Sequence, residues 1–327
     1  MKKNIAIIMG GYSNEWEISL KGGNVVHDNL NKEKFNSYRI HILRDKWVYI
    51  DDSNIEYTIN KHDFSVDYKG DKIIFDCVFN AIHGSPGEDG LMPAYFELLG
   101  IPQTSCDYYQ SALTYNKRDL LSVLTPYGIK SAASYYLNFG DEINEEAIIE
   151  TVGLPCFVKA NKAGSSFGIS KVYEKSLLKK AITEAYEHDD EIIIESFLDG
   201  IEVSVGVITY KGEITVLPIT EIVSDNDFFD YKAKYENQST EITPARISEI
   251  KVKKVEAAAK LAYKVLKMRG FSRSEFIFID DEPFMLEMNT TPGLTTESLL
   301  PQQAKKAGIS LEELFESVIL EALLIKS

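Results

Sequence analysis

Four polar residues at two-residue spacings, Arg273 and Glu275 in one apolar run and Glu287 and Asn289 in the next, could build a cation site. The runs are Arg273-Ser274-Glu275-Phe276-Ile277-Phe278-Ile279 and Pro283-Phe284-Met285-Leu286-Glu287-Met288-Asn289, separated by Asp280-Asp281-Glu282. Side chains alternate faces along a strand. Phe276, Phe278, Phe284, Leu286 and Met288 therefore fall on a core face, and Arg273, Glu275, Glu287 and Asn289 on the other. With the three acidic residues as the loop, Ile279 pairs with Pro283, Glu275 faces Glu287 and Arg273 faces Asn289. Facing carboxylates repel each other. A hard divalent cation between them relieves that repulsion, and two carboxylates with an amide oxygen suit Mg²⁺ that also holds phosphate oxygens. A solvated acidic strand pair is the alternative.

Three other polar segments follow apolar runs. The run Asn4 to Met9 ends in Gly10-Gly11, and Asn14 with Glu17 three residues on resembles a capping box that opens a helix running past Val25 to Leu30. Glu15 then either serves chemistry at a strand end or simply complements the helix dipole. The run Ile73 to Ile82 leads into His83-Gly84-Ser85-Pro86-Gly87-Glu88-Asp89-Gly90, whose three glycines predict close backbone approach to a ligand or to the first loop. Pro155 to Lys159 reads as a strand, Ala160 to Gly168 as a turn of small residues and Ile169 to Tyr173 as the returning strand. Backbone N–H groups in such a turn can cover phosphates, although polar hairpin tips are common and this is no strand-to-helix P-loop.

The elements that must position these residues are legible in outline. Strands alternating with helices over the first hundred residues predict a mostly parallel sheet. Lys117 to Leu124 reads as a helix, Ile192 to Glu195 and Ile201 to Ile208 as strands joined at Asp199-Gly200, and Glu249 to Met268 as a helix closed by Gly270. Ser310 and Glu313 cap a last helix through Ile325. The long polar segment Asp225 to Ser248 carries the aromatic cluster Phe228 to Tyr235, which favours a lid over disorder.

A chain of 327 residues predicts two or three domains. The net charge of -15 argues against a nucleic-acid or anionic-membrane partner, so an anionic ligand must be met by local groups. No apolar run is long enough to cross a bilayer, and the apolar stretch after Met1-Lys2-Lys3 is too short for a signal peptide, which predicts a cytoplasmic protein. Cys77, Cys106 and Cys156 lie in or beside apolar segments without metal-ligand spacing and read as small buried hydrophobes.

Taken together, a glycine-rich hairpin and a carboxylate pair describe a nucleotide site between two sheets. The chain resembles, from end to end, the D-alanine:D-alanine ligases of the ATP-grasp superfamily. The motifs that carry the resemblance are Gly10 to Glu15, His83 to Gly90, Lys159 to Gly168, Phe228 to Tyr235 and Glu287-Met288-Asn289-Thr290-Thr291-Pro292-Gly293. It implies an α/β fold with α+β elements in three domains: a Rossmann-like parallel-sheet domain over 1–106, a central domain over 107–198 and a C-terminal domain over 199–327. ATP is then a co-substrate, held by Lys117, Lys159, Ser165, Ser166, Glu195, Glu202 and Lys234, with Glu195 at the adenine and Glu202 at the ribose. Two Mg²⁺ ions, replaceable by Mn²⁺, fall to Glu275, Glu287 and Asn289, and Arg273 neutralises the transferred phosphoryl group.

By the same resemblance, Glu15 holds the ammonium of the first D-alanine, His83 lies near its carboxylate, Gly293 serves the oxyanion, and Ser298 binds the second carboxylate. Ser165 and Tyr235 link with Glu15 on closure, and Lys234 also contacts substrate. The product, D-alanyl-D-alanine, would serve peptidoglycan precursor synthesis, and the enzyme would be a homodimer. A related ligase using D-lactate or D-serine as second substrate is the rival, as is a non-catalytic regulator that kept the fold. Trp16, Met92-Pro93, Ala160 and Glu275 depart from the family's usual His or Arg, Gln-Gly, Pro and Asp. The last of these matters most, since a longer acid shifts a bound ion.

Overall fold

A computed structural model describes residues 2–164, 168–224 and 239–324. The N-terminal sheet contains β1 (Lys3–Gly10), β2 (Phe35–Ile42), β3 (Trp47–Ile50), β4 (Glu56–Asn60), β5 (Ser65–Tyr68), β6 (Asp71–Ile73) and β7 (Cys77–Asn80), in the order β6-β5-β4-β3-β2-β1-β7. Ile5 to Met9 are fully buried because both faces of β1 are covered, the pattern of a strand at the centre of a parallel sheet. One face meets α2 (Leu91–Leu99) through Met92 and Phe96; the other meets α1 (Trp16–Asn29) and helices from the far end of the chain. The expected parallel arrangement holds for β2-β1-β7 alone. The pairs from β2 through β6 are antiparallel. Links such as Lys69-Gly70 are far too short for a parallel crossover. The box expected from Asn14 and Glu17 does not form: Glu15 is the N-cap of α1, and no side chain caps the helix.

Two helices, α3 (Tyr108–Tyr115) and α4 (Lys117–Leu124), lead into a central antiparallel sheet. Its strands are β8 (Ser134–Asn138), β9 (Cys156–Ala160), β10 (Ile169–Val172) and β11 (Glu191–Ser196), in the order β10-β9-β11-β8. With α5 (Glu145–Val152) and α6 (Lys175–Ala185) they enclose a separate core around Val158, Ile182 and Ile192.

The C-terminal sheet has the order β15-β14-β12-β16-β17, with β13 also on β12. Its strands are β12 (Ile201–Tyr210), β13 (Glu213–Val216), β14 (Thr220–Ser224), β15 (Ser239–Ile242), β16 (Phe271–Ile279) and β17 (Glu282–Asn289). The helices are α7 (Glu249–Val265), α8 (Leu299–Lys306) and α9 (Leu311–Leu324). α7 stops short of the expected Met268, where Lys267 turns left-handed at φ 52°. The Ser310 box forms as expected, with Ser310 N donating to Glu313 Oε2 at 3.0 Å and Glu313 N to Ser310 Oγ at 3.2 Å. Within the expected lid, Ser239–Ile242 is a strand on β14, and 225–238 lie outside the described residues. Leu120, Leu121 and Leu124 of α4 pack into the C-terminal core with Val203, Phe276 and Met285. Phe315 and Ile319 of α9 share a core with Ile5, Met9 and Phe79.

The hairpin itself needs one correction. Its loop is Asp280-Asp281, with Asp280 at φ 53°, so Ile279 pairs with Glu282 and Pro283 with Phe278. Two-residue hairpin loops suit strand twist better than the three-residue loop expected. A bulge beside Glu275 and Phe276 absorbs the shift, leaving Glu275 opposite Glu287 and Arg273 opposite Asn289 as expected. On β17 the buried side chains are therefore Pro283, Met285 and Met288, while Phe284 and Leu286 are only half-buried.

Candidate active site

Strand ends from the first sheet supply one wall. The approach predicted for the glycine loop is to the first loop: at Gly84, φ is +67° and a Cβ would come within 2.8 Å of the Ser13 Cβ. Ser13 Oγ donates to the His83 carbonyl at 2.8 Å and accepts from Glu15 N at 3.2 Å, so the two loops fix each other. His83 is buried, which pushes its pKa down, and Arg273 pushes the same way against Glu15 and a backbone bond to Thr291. Glu15, His83 and Arg273 thus converge from three elements.

The carboxyl of Glu88, which the motif did not single out, is buried in the same wall. Gly84 N donates to its Oε2 at 2.5 Å, and a backbone bond to Thr291 ties it to the loop after β17. Burial, helped by the Glu15 and Glu287 charges, pushes its pKa up to about 8 despite these bonds. Only its place inside the loop, unreadable from residue type, separates it from its half-buried neighbour Asp89.

The second wall is β16 and β17. Arg273 pairs with Glu275, and both side chains are largely buried. Arg273 also reaches Ser204 Oγ at 3.4 Å. Across the strand pair, Glu287 meets Lys117 Nζ at 3.3 Å. Arg273 and Lys117 therefore offset the repulsion expected between the two facing acids. Asn289 Oδ1 accepts from Thr291 N at 2.9 Å, which leaves its second lone pair. Among the described residues no three His, Cys, Asp or Glu side chains gather as a metal site, so the donor set is the two acids and this amide oxygen. Those are hard oxygen donors of the kind Mg²⁺ takes alongside phosphate and water.

The third wall comes from the central sheet. Lys159 Nζ lies 2.6 Å from Glu195 Oε2. Burial alone would lower the Lys159 pKa, but Glu195, with Glu287 and Glu202 behind it, leaves it raised and the ammonium charged. Glu195 Oε1 is buried with no hydrogen-bond partner among the described residues, an acceptor open to an amino group such as that of adenine. Glu202 sits on β12 opposite Ile222 and Ile277. Lys117 Nζ also donates to the Ala163 carbonyl at 2.9 Å at the root of the glycine-rich turn. A Cβ on Gly164 would lie 2.8 Å from Glu15 Oε2, so the turn comes close enough to the first wall that a larger residue would displace the Glu15 carboxylate.

Glu88, Tyr115, Lys117, Gly164, Glu287 and Asn289 line a small cleft between these walls. Beside it, a Cβ on Gly293 would lie 2.6 Å from Ser298 Oγ, which is also 2.8 Å from Thr295 Oγ1 at the start of α8. The sequence-predicted residues Glu15, His83, Lys117, Lys159, Glu195, Glu202, Arg273, Glu275, Glu287 and Asn289 are thus linked by these contacts and charges, and Gly293 is brought against Ser298. Ser165, Ser166, Lys234 and Tyr235 lie outside the described residues. The cysteines are inert as expected: burial pushes the Cys106 and Cys156 thiols up to about 11 and Cys77 to about 12. No helix among the described residues is long and apolar enough to cross a membrane.

Comparison with known proteins bears on the whole chain. A family model described as the D-ala D-ala ligase N-terminus matches residues 4–106, and one described as the D-ala D-ala ligase C-terminus matches residues 127–320. A D-alanine--D-alanine ligase of Flavobacterium johnsoniae is 72% identical over 317 residues, covering 97% of this chain and 98% of the relative. Among solved structures, a D-Ala:D-Ser ligase from Enterococcus faecalis is 34% identical with a TM-score of 0.84, covering 98% of this chain and 99% of that one. A D-alanine--D-alanine ligase from Bacillus anthracis complexed with ATP is 28% identical with a TM-score of 0.78, covering 98% and 97%. With both family models matched over most of its length and the fold shared from end to end, the chain belongs to the D-alanine–D-alanine ligase family, enzymes of the ATP-grasp fold.

Proposed function

We propose that this protein joins two D-alanines into D-alanyl-D-alanine at the expense of ATP, through a D-alanyl phosphate. A carboxylate lacks a leaving group, and transfer of the γ-phosphoryl to the first D-alanine supplies one. The amine of the second D-alanine then attacks, forming the C–N bond and expelling phosphate. The enzyme's task is positioning and charge neutralisation. Lys159, Glu195 and Lys117 hold the nucleotide, with Glu195 Oε1 accepting from the adenine amino group and Glu202 from the ribose. Mg²⁺ held by Glu275, Glu287 and Asn289 supplies countercharge to the phosphates. Arg273 stabilises charge on the transferred group.

Glu15 binds the ammonium of the first D-alanine, and neutral His83 lies by its carboxylate. Gly293 offers its N–H to the developing oxyanion, and Ser298 orients the second substrate. Ser165 and Tyr235 complete the closed site with Glu15, Ser166 adds phosphate contacts, and Lys234 meets both nucleotide and substrate. Closure keeps water from the acyl phosphate. Residues 1–106, 107–198 and 199–327 are taken as the three domains of a cytoplasmic homodimer.

The observation that carries this reading is the register of β16 and β17: it sets Glu275 against Glu287 beside Arg273, and Glu287 lines the cleft together with Lys117 and Asn289. The 72% identity to a D-alanine--D-alanine ligase favours D-alanine over D-serine or D-lactate as the second substrate. Mass spectrometry of the product from ATP, Mg²⁺ and D-alanine tests it. D-alanyl-D-alanine formed in step with phosphate is expected, and phosphate release without a dipeptide would refute it.

A further inference from the structure

Helix α4 is built into the C-terminal core, yet its N-terminus is capped from the central sheet. Of the first three helix amides, the side chain of its own N-cap, Asn116, accepts only the third, Asp119 N, at 3.0 Å. The second, Arg118 N, donates to Oδ1 of Asn161 at 3.0 Å, and the first, Lys117 N, reaches the Asn161 carbonyl at 3.5 Å. Unpaired amides at a helix start need such partners. Asn161 directly follows β9 and opens the glycine-rich turn.

The rest of its bonding capacity is used in the same joint. Its Nδ2 donates to Asn116 Oδ1 and to Glu191 Oε2, each at 2.8 Å, and its backbone N donates to Glu191 O at 3.0 Å. Asn161 is fully buried. A single side chain thus fastens the start of α4, the root of the turn and the start of β11. From that joint Lys117 reaches Ala163 O on one side and Glu287 on the other.

We propose that Asn161 is a positioning residue for ATP: it fixes the separation between the glycine-rich turn and the β16–β17 acids by capping α4 across the two sheets. The inference rests on the proposed ATP site but touches neither substrate nor metal. Without the amide, α4 and the turn keep their own cores and shift against each other, so the phosphates lose a fixed cradle. The effect belongs in KM for ATP, because loss of folded protein alone lowers apparent kcat and leaves KM unchanged.

The test compares Asn161→Ala, Asn161→Asp and the double variant Asn161→Asp with Glu191→Gln, which exchanges amide and carboxylate across the joint. KM for ATP and KM for D-alanine are measured at saturating partner, with Mg²⁺ present. For the two single variants KM for ATP is expected to rise about tenfold, the scale of losing one to two net hydrogen bonds, with KM for D-alanine within about twofold. The double variant is expected to recover part of the loss, because the new amide at 191 can donate to the carboxylate at 161 while Asn116 Oδ1 still lacks its donor from that side, and it stands as the test if Asn161→Ala does not fold. Single variants with a wild-type KM for ATP, or a double variant no better than Asn161→Asp, would overturn the proposal. A wild type that makes no dipeptide from ATP and D-alanine refutes the ligase reading instead, and binding of a non-hydrolysable ATP analogue to the same four proteins then reads the joint directly.

Discussion

Replacing Glu88 by Gln should change how stability depends on pH, and the sign follows from burial. In the unfolded chain this carboxyl titrates near its ordinary value of 4.5, whereas in the fold it titrates at about 8. Between these values the native protein holds a proton that the unfolded chain has lost. Stability therefore falls as pH rises through this window, by about 1.4 kcal/mol per unit and about 5 kcal/mol at most. The stabilising contribution is fully present below 4.5 and lost above about 8. Glutamine cannot ionise, yet its Oε1 still accepts from Gly84 N. Urea unfolding of both proteins without ligand, at pH 6 and pH 9, isolates this group because the other titrations cancel in the difference. The variant should gain on the wild type by about 3 kcal/mol between the two pH values. A difference that does not change with pH would show that Glu88 is ionised in the fold at neutral pH, and the account of this wall would be wrong.

Glu287→Gln should lower ligation by about 100-fold or more while leaving the far-ultraviolet circular dichroism native, since Lys117 and Arg273 already balance the facing acids; near-normal turnover would remove the β16–β17 pair as the metal site. Phosphate release should require both Mg²⁺ and D-alanine, with L-alanine a poor substitute because Glu15, Gly293 and Ser298 hold a chiral substrate at several points, and equal rates with both enantiomers would sink the assignment. Offered D-alanine and D-lactate together, the enzyme should make dipeptide increasingly from neutral to mildly alkaline pH as free amine accumulates, whereas predominant D-alanyl-D-lactate throughout would overturn the choice of acceptor alone.

The parts of the site written in local patterns were legible. Period-two alternation put Arg273, Glu275, Glu287 and Asn289 together on one face, and the register held even though the loop was misjudged. A bulge has no signature in alternation, so the inward turn of Met285 in place of Phe284 and Leu286 could not be read. The antiparallel strands β3 to β6 are not in that reading, because strands alternating with helices predict a mostly parallel sheet. Glu88 and Asn161 were invisible for another reason: residue type does not report burial, and their partners lie on other elements, up to about 200 residues away for Glu88 and Thr291. Asn161, two residues past the strand read as Pro155 to Lys159, looks like part of an ordinary polar turn.

The core shared by the two ends of the chain has a consequence for how the protein is made. One face of β1 and β7 is closed by α8 and α9, residues emerging more than 200 positions later. At a synthesis rate of roughly 5–20 residues per second, that face waits on the order of ten seconds or longer for its cover. Apart from what α1 covers, the nascent N-terminal sheet therefore presents Ile5, Ile7 and Phe79 to its surroundings until the last helices arrive. Loss of α9 would leave the first sheet uncovered, so truncation at the end of the chain should be felt as aggregation at its beginning.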